Sequence, residues 1–194
     1  AATVTDDVEG EVISRGDVSG ITDSQIEAEL LKMRGTIMQR PSSVSAVKVD
    51  GERAYDRVRA GESVELASRE VTISQLDIKE IRRIENAVEV DIEVTCSAGT
   101  FIRAIARDCG DALAVGGHLN ALRRTRVAGF GLDKAISLTS LKAGEFATLP
   151  LVDVARTTFS ARELALEEVN ELSFGRPLSP NPDEAIYAAI SGEV

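Results

Sequence analysis

Hydrophobic and acidic residues alternate along one stretch in the middle of the chain. Four β-branched residues take every second position, with carboxylates between them: Val88, Val90, Ile92 and Val94 alternate with Glu89, Asp91 and Glu93. Successive side chains of a strand point to opposite faces, so this pattern predicts an antiparallel strand over 87–96 with one buried face. A strand-like run, Val71–Ile84, precedes it, and Glu85-Asn86 predicts the turn of a hairpin.

Apolar residues at helical spacing indicate further elements. The capping-box pattern Thr22-Asp23-Ser24-Gln25 precedes apolar residues that recur as far as Met33, which predicts a helix ended by Gly35. Phe101–Val115 has an apolar face and predicts a second helix, with Thr100 as its N-cap. A further short helix is predicted at Leu119–Leu122.

The last quarter of the chain looks like a separate region. Thr148-Leu149-Pro150 indicates a boundary, Ser160-x-x-Glu163 is a capping-box pattern that predicts a helix stopped by Gly175, and Ala185–Ile190 resembles a strand. Helices and antiparallel-type strands interleave irregularly, which favours an α+β fold with a mixed, mostly antiparallel sheet and flanking helices. We predict two domains, 1–148 and 149–194.

Composition and charge narrow the possible functions. The net charge of −10 argues against a nucleic-acid partner, but residues 32–63 and 98–135 each carry a net charge of +3 and form local basic blocks. Such blocks either bind phosphate or are solvated faces. Two cysteines and one histidine give neither a disulfide scaffold nor a zinc finger, and we expect no metal or other cofactor. Without a signal peptide or a transmembrane run, we expect a cytoplasmic protein.

The stretch Cys96–Arg103 is the best candidate site. It leads from a strand through a Gly99-Thr100 turn into a helix, whose exposed amides suit an anion. Arg103 lies in the first turn, where the helix dipole disfavours a cation, and Arg107 lies one turn later, on the face opposite the core, with Asp111 as a possible partner. Either a functional acid faces Arg103, or a structural salt bridge holds it.

Several motifs, in the same order and at matching spacing, resemble those of one enzyme family over about residues 3–140. Gly99-Thr100-Phe101-Ile102-Arg103 resembles the Gly-Thr-Tyr/Phe-Ile-Arg motif of pseudouridine synthases, and the flanks resemble the TruB-type family of tRNA pseudouridine-55 synthases. Three flanking blocks also match. Thr3-Val4-Thr5-Asp6 with Gly10 resembles Thr-x-Thr-x-Asp-x-x-Gly, and Gly117-His118-Leu119 with 122–127 resembles the closing block. The block Pro-Pro-x-x-Ser-Ala-x-Lys-x-x-Gly-x-x-x-Tyr is matched by Arg34-Gly35, Gln39, Pro41-Ser42, 45–49 and 51–55. Residues 151–194 resemble an incomplete PUA-like RNA-binding region.

The resemblance implies an isomerase that needs no cofactor and acts on the T-stem-loop uridine of tRNA. The family's nucleophilic aspartate lies in a Gly-x-Leu-Asp-Pro motif before the Thr-x-Thr stretch, and these 194 residues do not contain that motif there. Asp133 follows Gly131-Leu132, but Lys134 replaces the proline and the position is wrong, so we interpret Asp133 as a surface residue. We therefore expect a C-terminal part of such an enzyme, inactive by itself. Arg103 would hold an acid from elsewhere in the polypeptide, and a partner acid within this chain would contradict that hypothesis.

The resemblance also assigns substrate contacts. Phe101 takes the family's second aromatic position and Leu122 its apolar wall, while Lys48, Arg123 and Arg124 are candidates for phosphate contacts. Each could instead be an ordinary core or solvated residue. A serine hydrolase is excluded, because no Gly-x-Ser-x-Gly motif accompanies the single histidine. The alternative function is a non-catalytic RNA-binding or RNA-chaperone module; we expect tRNA as partner and neither a membrane nor a required protein partner.

Overall fold

A computed structural model describes residues 1–42, 66–180 and 186–192, together with the backbone of 48–49 and 52–53. The chain divides into two compact units, Ala1–Leu122 and Arg123–Val194. Both combine helices with β-sheets, and four of the five sheets among the described residues are antiparallel, so the predicted α+β class is confirmed. The domain boundary predicted after residue 148 stays a prediction. No helix in these ranges has the length and apolar character needed to cross a membrane.

The described elements of the first unit are β1 (Ala2–Thr3), β2 (Val12–Ser14), α1 (Asp23–Leu31), β3 (Gly35–Gln39), β4 (Lys48–Val49), β5 (Glu52–Arg53), β6 (Arg69–Ile84), β7 (Ala87–Cys96) and α2 (Ile102–Ala112). The main sheet is antiparallel and has three strands in the order β3–β6–β7. The predicted hairpin is confirmed, because β6 and β7 pair from Ile73 opposite Cys96 to Ile84 opposite Ala87. Two smaller antiparallel pairs among these strands, β1–β2 and β4–β5, accompany this sheet.

Both helices pack against one face of this sheet. The buried cluster takes two residues from each of α1, β6 and α2: Ile26, Leu30, Ile73, Leu76, Ile105 and Cys109. The four alternating apolar residues of β7 pack against this cluster and are partly buried, as their spacing predicts. Removing these side chains from water stabilises the unit by about 1.5–3 kcal/mol for each fully buried aliphatic residue. The start of α2 is therefore fixed to the sheet.

Three local predictions of the first unit need correction. Helix α1 begins at the predicted capping box, but it ends at Leu31, and Gly35 (φ +87°) opens strand β3, which the sequence did not reveal. Residues 119–122 form no helix; instead Leu119 bridges to Asp7. The helix predicted over 101–115 is confirmed in place but is shorter, Ile102–Ala112.

Within its described residues, the second unit holds two small sheets and three short helices. The predicted capping box at Ser160–Glu163 is wrong: these residues form strand β10 (Ser160–Glu163), which pairs in parallel with strand β11 (Tyr187–Ile190). The next helix starts after Ala165, whose backbone N–H donates to Glu168 Oε2 (3.1 Å). The elements are β8 (Arg126–Val127), β9 (Phe130–Gly131), a 3-10 turn (Leu132–Lys134), α3 (Leu138–Ala143), α4 (Leu151–Thr158), β10 (Ser160–Glu163), α5 (Leu166–Ser173) and β11 (Tyr187–Ile190).

Candidate active site around the Gly-Thr turn

A tight turn carries the chain from β7 into α2. Gly99 adopts φ +84°, a left-handed conformation that favours glycine. The Thr100 hydroxyl donates to the Ser97 carbonyl oxygen (2.9 Å). The prediction that Thr100 is the N-cap of the helix is therefore wrong. Phe101 occupies the N-cap position without a side-chain cap. The turn thus places Phe101 and Arg103 together at the first turn of α2.

Arg103 forms a salt bridge with an acid of its own chain. Its Nη2 lies 2.7 Å from Asp7 Oδ2. The hypothesis that Arg103 exists to hold an acid from outside these 194 residues predicted no partner acid within the chain, and this salt bridge contradicts that prediction. The alternative, a structural salt bridge, is present. This carboxylate also offsets the unfavourable position of a cation at a helix start. The helix dipole consequently no longer argues for a missing acid, and the family resemblance alone supports one.

Asp7 is held firmly in its loop. Its Oδ1 accepts hydrogen bonds from the Thr5 hydroxyl (2.6 Å) and from the backbone N–H of Glu9 (3.1 Å), which leaves Oδ2 to face Arg103. The loop is fastened to the extended segment after α2, where Val8 N–H donates to the Leu119 carbonyl (2.9 Å). Since the carboxylate is fixed on its inner side, it can orient the guanidinium without needing to move.

The prediction that Arg107 lies on an open helix face beside Asp111 is also wrong. Arg107 is 8% exposed, and its Nη1 donates to Asp6 Oδ2 (3.0 Å). Its Nε donates to Asp108 Oδ1 (2.8 Å) and its Nη2 donates to the Arg40 carbonyl (2.7 Å). Two consecutive acids of one loop, Asp6 and Asp7, therefore form salt bridges with two arginines on successive turns of α2, Arg107 and Arg103.

Phe101 is half-buried, and the guanidinium carbon of Arg69 lies 5.4 Å from the centre of its ring. This distance is within the range of a cation–π contact. The backbone of Phe101 is bound on both sides by the amide of Gln39, which accepts from Phe101 N–H (2.8 Å) and donates to the Phe101 carbonyl (3.1 Å). The aromatic predicted to face the substrate is thus a precisely supported residue.

The other four predicted substrate contacts stay predictions. Leu122 is 57% exposed at the end of the first unit, and Arg123 and Arg124 are exposed at the start of the second. The side chain of Lys48 lies outside the described residues. Of the six residues predicted for the site, Phe101 and Arg103 thus lie at the start of α2, and the roles of all six stay predictions.

Sequence reasoning overlooked two site residues. Asp7 had a signal, because the Thr-x-Thr-x-Asp-x-x-Gly spacing that begins at Thr3 places its aspartate at position 7. Gln39 also had a signal, because it is among the residues that resemble the family's block before Tyr55, but nothing in the sequence gave it a role at Phe101. Among the described residues no group of three or more His, Cys, Asp and Glu side chains could hold a metal ion. Burial raises the pKa of the Cys109 thiol to about 11, with a smaller contribution from Glu29, so this cysteine is a core residue and not a nucleophile.

Two models of known protein families together match most of the chain. Residues 1–102 match the family described as TruB family pseudouridylate synthase (N terminal domain). Residues 103–148 match the tRNA pseudouridylate synthase B C-terminal domain. The junction between the two matches falls between Ile102 and Arg103, inside the first turn of α2.

Curated relatives match nearly the full chain. The tRNA pseudouridine synthase B of Mycobacteroides abscessus is 51% identical over 193 residues, which are 99% of this chain and 65% of the relative. That of Corynebacterium diphtheriae is 46% identical over 98% of this chain and 64% of the relative. The chain thus spans somewhat less than two thirds of these relatives. A chain in the crystal structure of a Cbf5-Nop10-Gar1 complex has the same fold, with a TM-score of 0.57 at 22% identity, over 82% of this chain and 46% of that one.

Proposed function

The chain belongs to the TruB family of pseudouridylate synthases, and we propose that the complete protein isomerises the T-loop uridine at position 55 of tRNA. This reaction breaks the glycosidic bond of the uridine, turns the base and rejoins it through carbon. It needs neither a metal nor a nucleotide. The observation that carries the proposal is the family match: residues 1–148 match the two TruB-family models, and relatives with the name tRNA pseudouridine synthase B are 46% and 51% identical over nearly the whole chain.

In this proposal Arg103 binds two carboxylates. A guanidinium has five N–H donors, and the contact with Asp7 uses one terminal nitrogen, Nη2. The Arg103 side chain remains 41% exposed, so a further edge is open to a second acid. On the family resemblance alone, we assign this open edge to the nucleophilic aspartate, which would come from polypeptide outside these 194 residues. An adjacent guanidinium keeps a carboxylate ionised in a closed pocket, where burial alone would favour its neutral form.

The uridine must leave the base stack to reach such a pocket. We assign Phe101 to the face of the flipped base and Leu122 to the apolar wall of the pocket. Because Phe101 lacks the hydroxyl of a tyrosine, any proton that such a hydroxyl would relay must pass through another group. Arg69 covers one side of the Phe101 ring, and we assign the other side to the base.

Phosphate contacts come from cations outside the turn. Lys48, Arg123 and Arg124 are assigned to the backbone of the T stem-loop, which gives affinity and salt dependence but no chemistry. The exposure of Arg123 and Arg124 supports this assignment. We also propose that the protein is cytoplasmic, where its tRNA substrate is found. The proposed activity involves no membrane and requires no protein partner.

The test is conversion of a T stem-loop RNA, measured as pseudouridine formed per enzyme. The complete protein should convert the single target uridine, and the 194-residue chain alone should convert none. The alternative of a non-catalytic RNA-binding module predicts RNA binding without conversion by the complete protein. That result, with the RNA shown to be bound, would overturn the proposed activity.

A further inference from the structure

Gln39 uses both polar atoms of its side chain on one distant residue. It is the last residue of β3 and is 1% exposed. Its Oε1 accepts from the backbone N–H of Phe101 (2.8 Å), and its Nε2 donates to the backbone carbonyl of Phe101 (3.1 Å). The two residues are 62 positions apart. This pair of bonds imitates one step of a β-ladder, made by a side chain instead of a strand.

The bonds act at a point where regular structure gives little support. Phe101 follows the turn and precedes α2, and no side chain caps the helix there. Gln39 pairs in register with Arg69, the residue that lies over the Phe101 ring. Both the backbone and one face of the ring are therefore set by a single register position of the β3–β6 pair. Arg103 follows two residues later on the same turn of helix.

We propose that Gln39 is a positioning residue of the synthase, which fixes the Phe101 ring and the first turn of α2 for the flipped uridine. It touches no substrate and acts only through Phe101. The inference rests on the proposed function, because that function places Phe101 against the base. A side chain that is a donor and an acceptor at once is required here, since the N–H and the C=O of one residue must be satisfied together.

The isosteric variant Gln39→Glu isolates this requirement. An ionised glutamate still accepts from Phe101 N–H, but its second oxygen faces the Phe101 carbonyl, and the two acceptors repel. A protonated glutamic acid restores the donor. The reference pKa of glutamate is about 4.3, and burial raises it, so the donor returns as the pH falls from 8 towards 5. Activity of this variant should therefore recover on acidification.

The control is Gln25→Glu in the capping box of α1. The Gln25 side chain is exposed, and its Oε1 accepts from Thr22 N–H (2.8 Å), a role that glutamate performs equally well. Both variants replace a side-chain amide with a carboxyl group. Only at position 39 does the amide N–H that is lost donate a hydrogen bond that the proposal requires.

The experiment measures single-turnover conversion of T stem-loop RNA, RNA affinity and thermal melting of the complete protein between pH 8 and 5. At pH 8, Gln39→Glu and Gln39→Met should each lose about tenfold or more in rate, with affinity changed less than about threefold. Relative to wild type at each pH, Gln39→Glu should recover towards pH 5, whereas Gln39→Met and Gln25→Glu should not change.

Three results would overturn the role of Gln39. They are rates within about twofold of wild type at pH 8, a loss explained by the unfolded fraction in the melts, and a folded Gln39→Glu variant that fails to recover at low pH. An inactive wild-type protein would instead overturn the proposed function and this inference with it. The activity of the wild-type protein therefore distinguishes failure of the Gln39 role from failure of the proposed function.

Discussion

Loss of the buried Arg107 should strongly destabilise the first unit. Arg107→Met removes a guanidinium that binds Asp6, Asp108 and the Arg40 carbonyl, while its apolar volume is largely kept. Asp6 is 8% exposed, so its charge would be left without a partner away from water. Breaking a buried pair from one side typically costs about 3–5 kcal/mol. We expect a loss of that size in the free energy of unfolding.

The structure also provides the controls. Arg176→Met removes one partner of an exposed ion pair with Glu171, where about 0–1 kcal/mol is expected. The double variant Asp6→Asn/Arg107→Met replaces the stranded charge with a neutral amide and should recover part of the loss. Asparagine suits this position, because residue 6 has φ +57° and asparagine tolerates the left-handed region.

Urea unfolding followed by far-ultraviolet circular dichroism measures the effect, since the chain has no tryptophan. Amide hydrogen exchange of α2 reports the same event locally. A loss below about 1 kcal/mol for Arg107→Met would refute the account of this buried pair. A double variant no more stable than the single one would show that the isolated Asp6 charge is not the cause.

Three further outcomes are expected. Asp7→Asn in the complete enzyme should lower the single-turnover rate about 10- to 100-fold and leave RNA affinity nearly unchanged. The reason is that Arg103 loses the charge that orients it. An unchanged rate would show that Asp7 is not part of the site. Arg123→Ala should weaken RNA binding and reduce the slope of log affinity against log salt by about 1, and an unchanged slope would contradict its phosphate contact. Cys109 should react with an alkylating reagent at pH 8 roughly 200-fold more slowly than a free thiol of pKa about 8.5, as mass spectrometry of its peptide would show; comparable rates would contradict its burial.

Local patterns predicted the elements whose causes are local. The alternation in 87–96 and the turn at Glu85-Asn86 gave the β6–β7 hairpin, and Thr22 with Gln25 gave the start of α1. The Ser160-x-x-Glu163 pattern failed, because a capping box is only four residues long and the same four residues pair in parallel with β11. Pairing with a distant strand outweighed the local signal.

The site was predictable only in part, because its main contacts join distant residues. Arg107 was placed on the solvent face by helical spacing, yet its partner Asp6 comes from 101 residues away. Gln39 reaches Phe101 across 62 residues, and no local rule foresees such a bond. Arg103 was found from its motif, but the charge beside it belongs to the loop around Asp7.

The central claim is that Arg103 serves the chemical step and not the binding of RNA. The most direct measurement is the single-turnover rate of the complete enzyme carrying Arg103→Ala on T stem-loop RNA, with the affinity for that RNA measured alongside and Arg123→Ala as the matched arginine. The account predicts that Arg103→Ala loses most of the rate while keeping its RNA affinity, and that Arg123→Ala loses affinity while keeping its rate at saturation. Equal losses of rate and affinity in the two variants would contradict it.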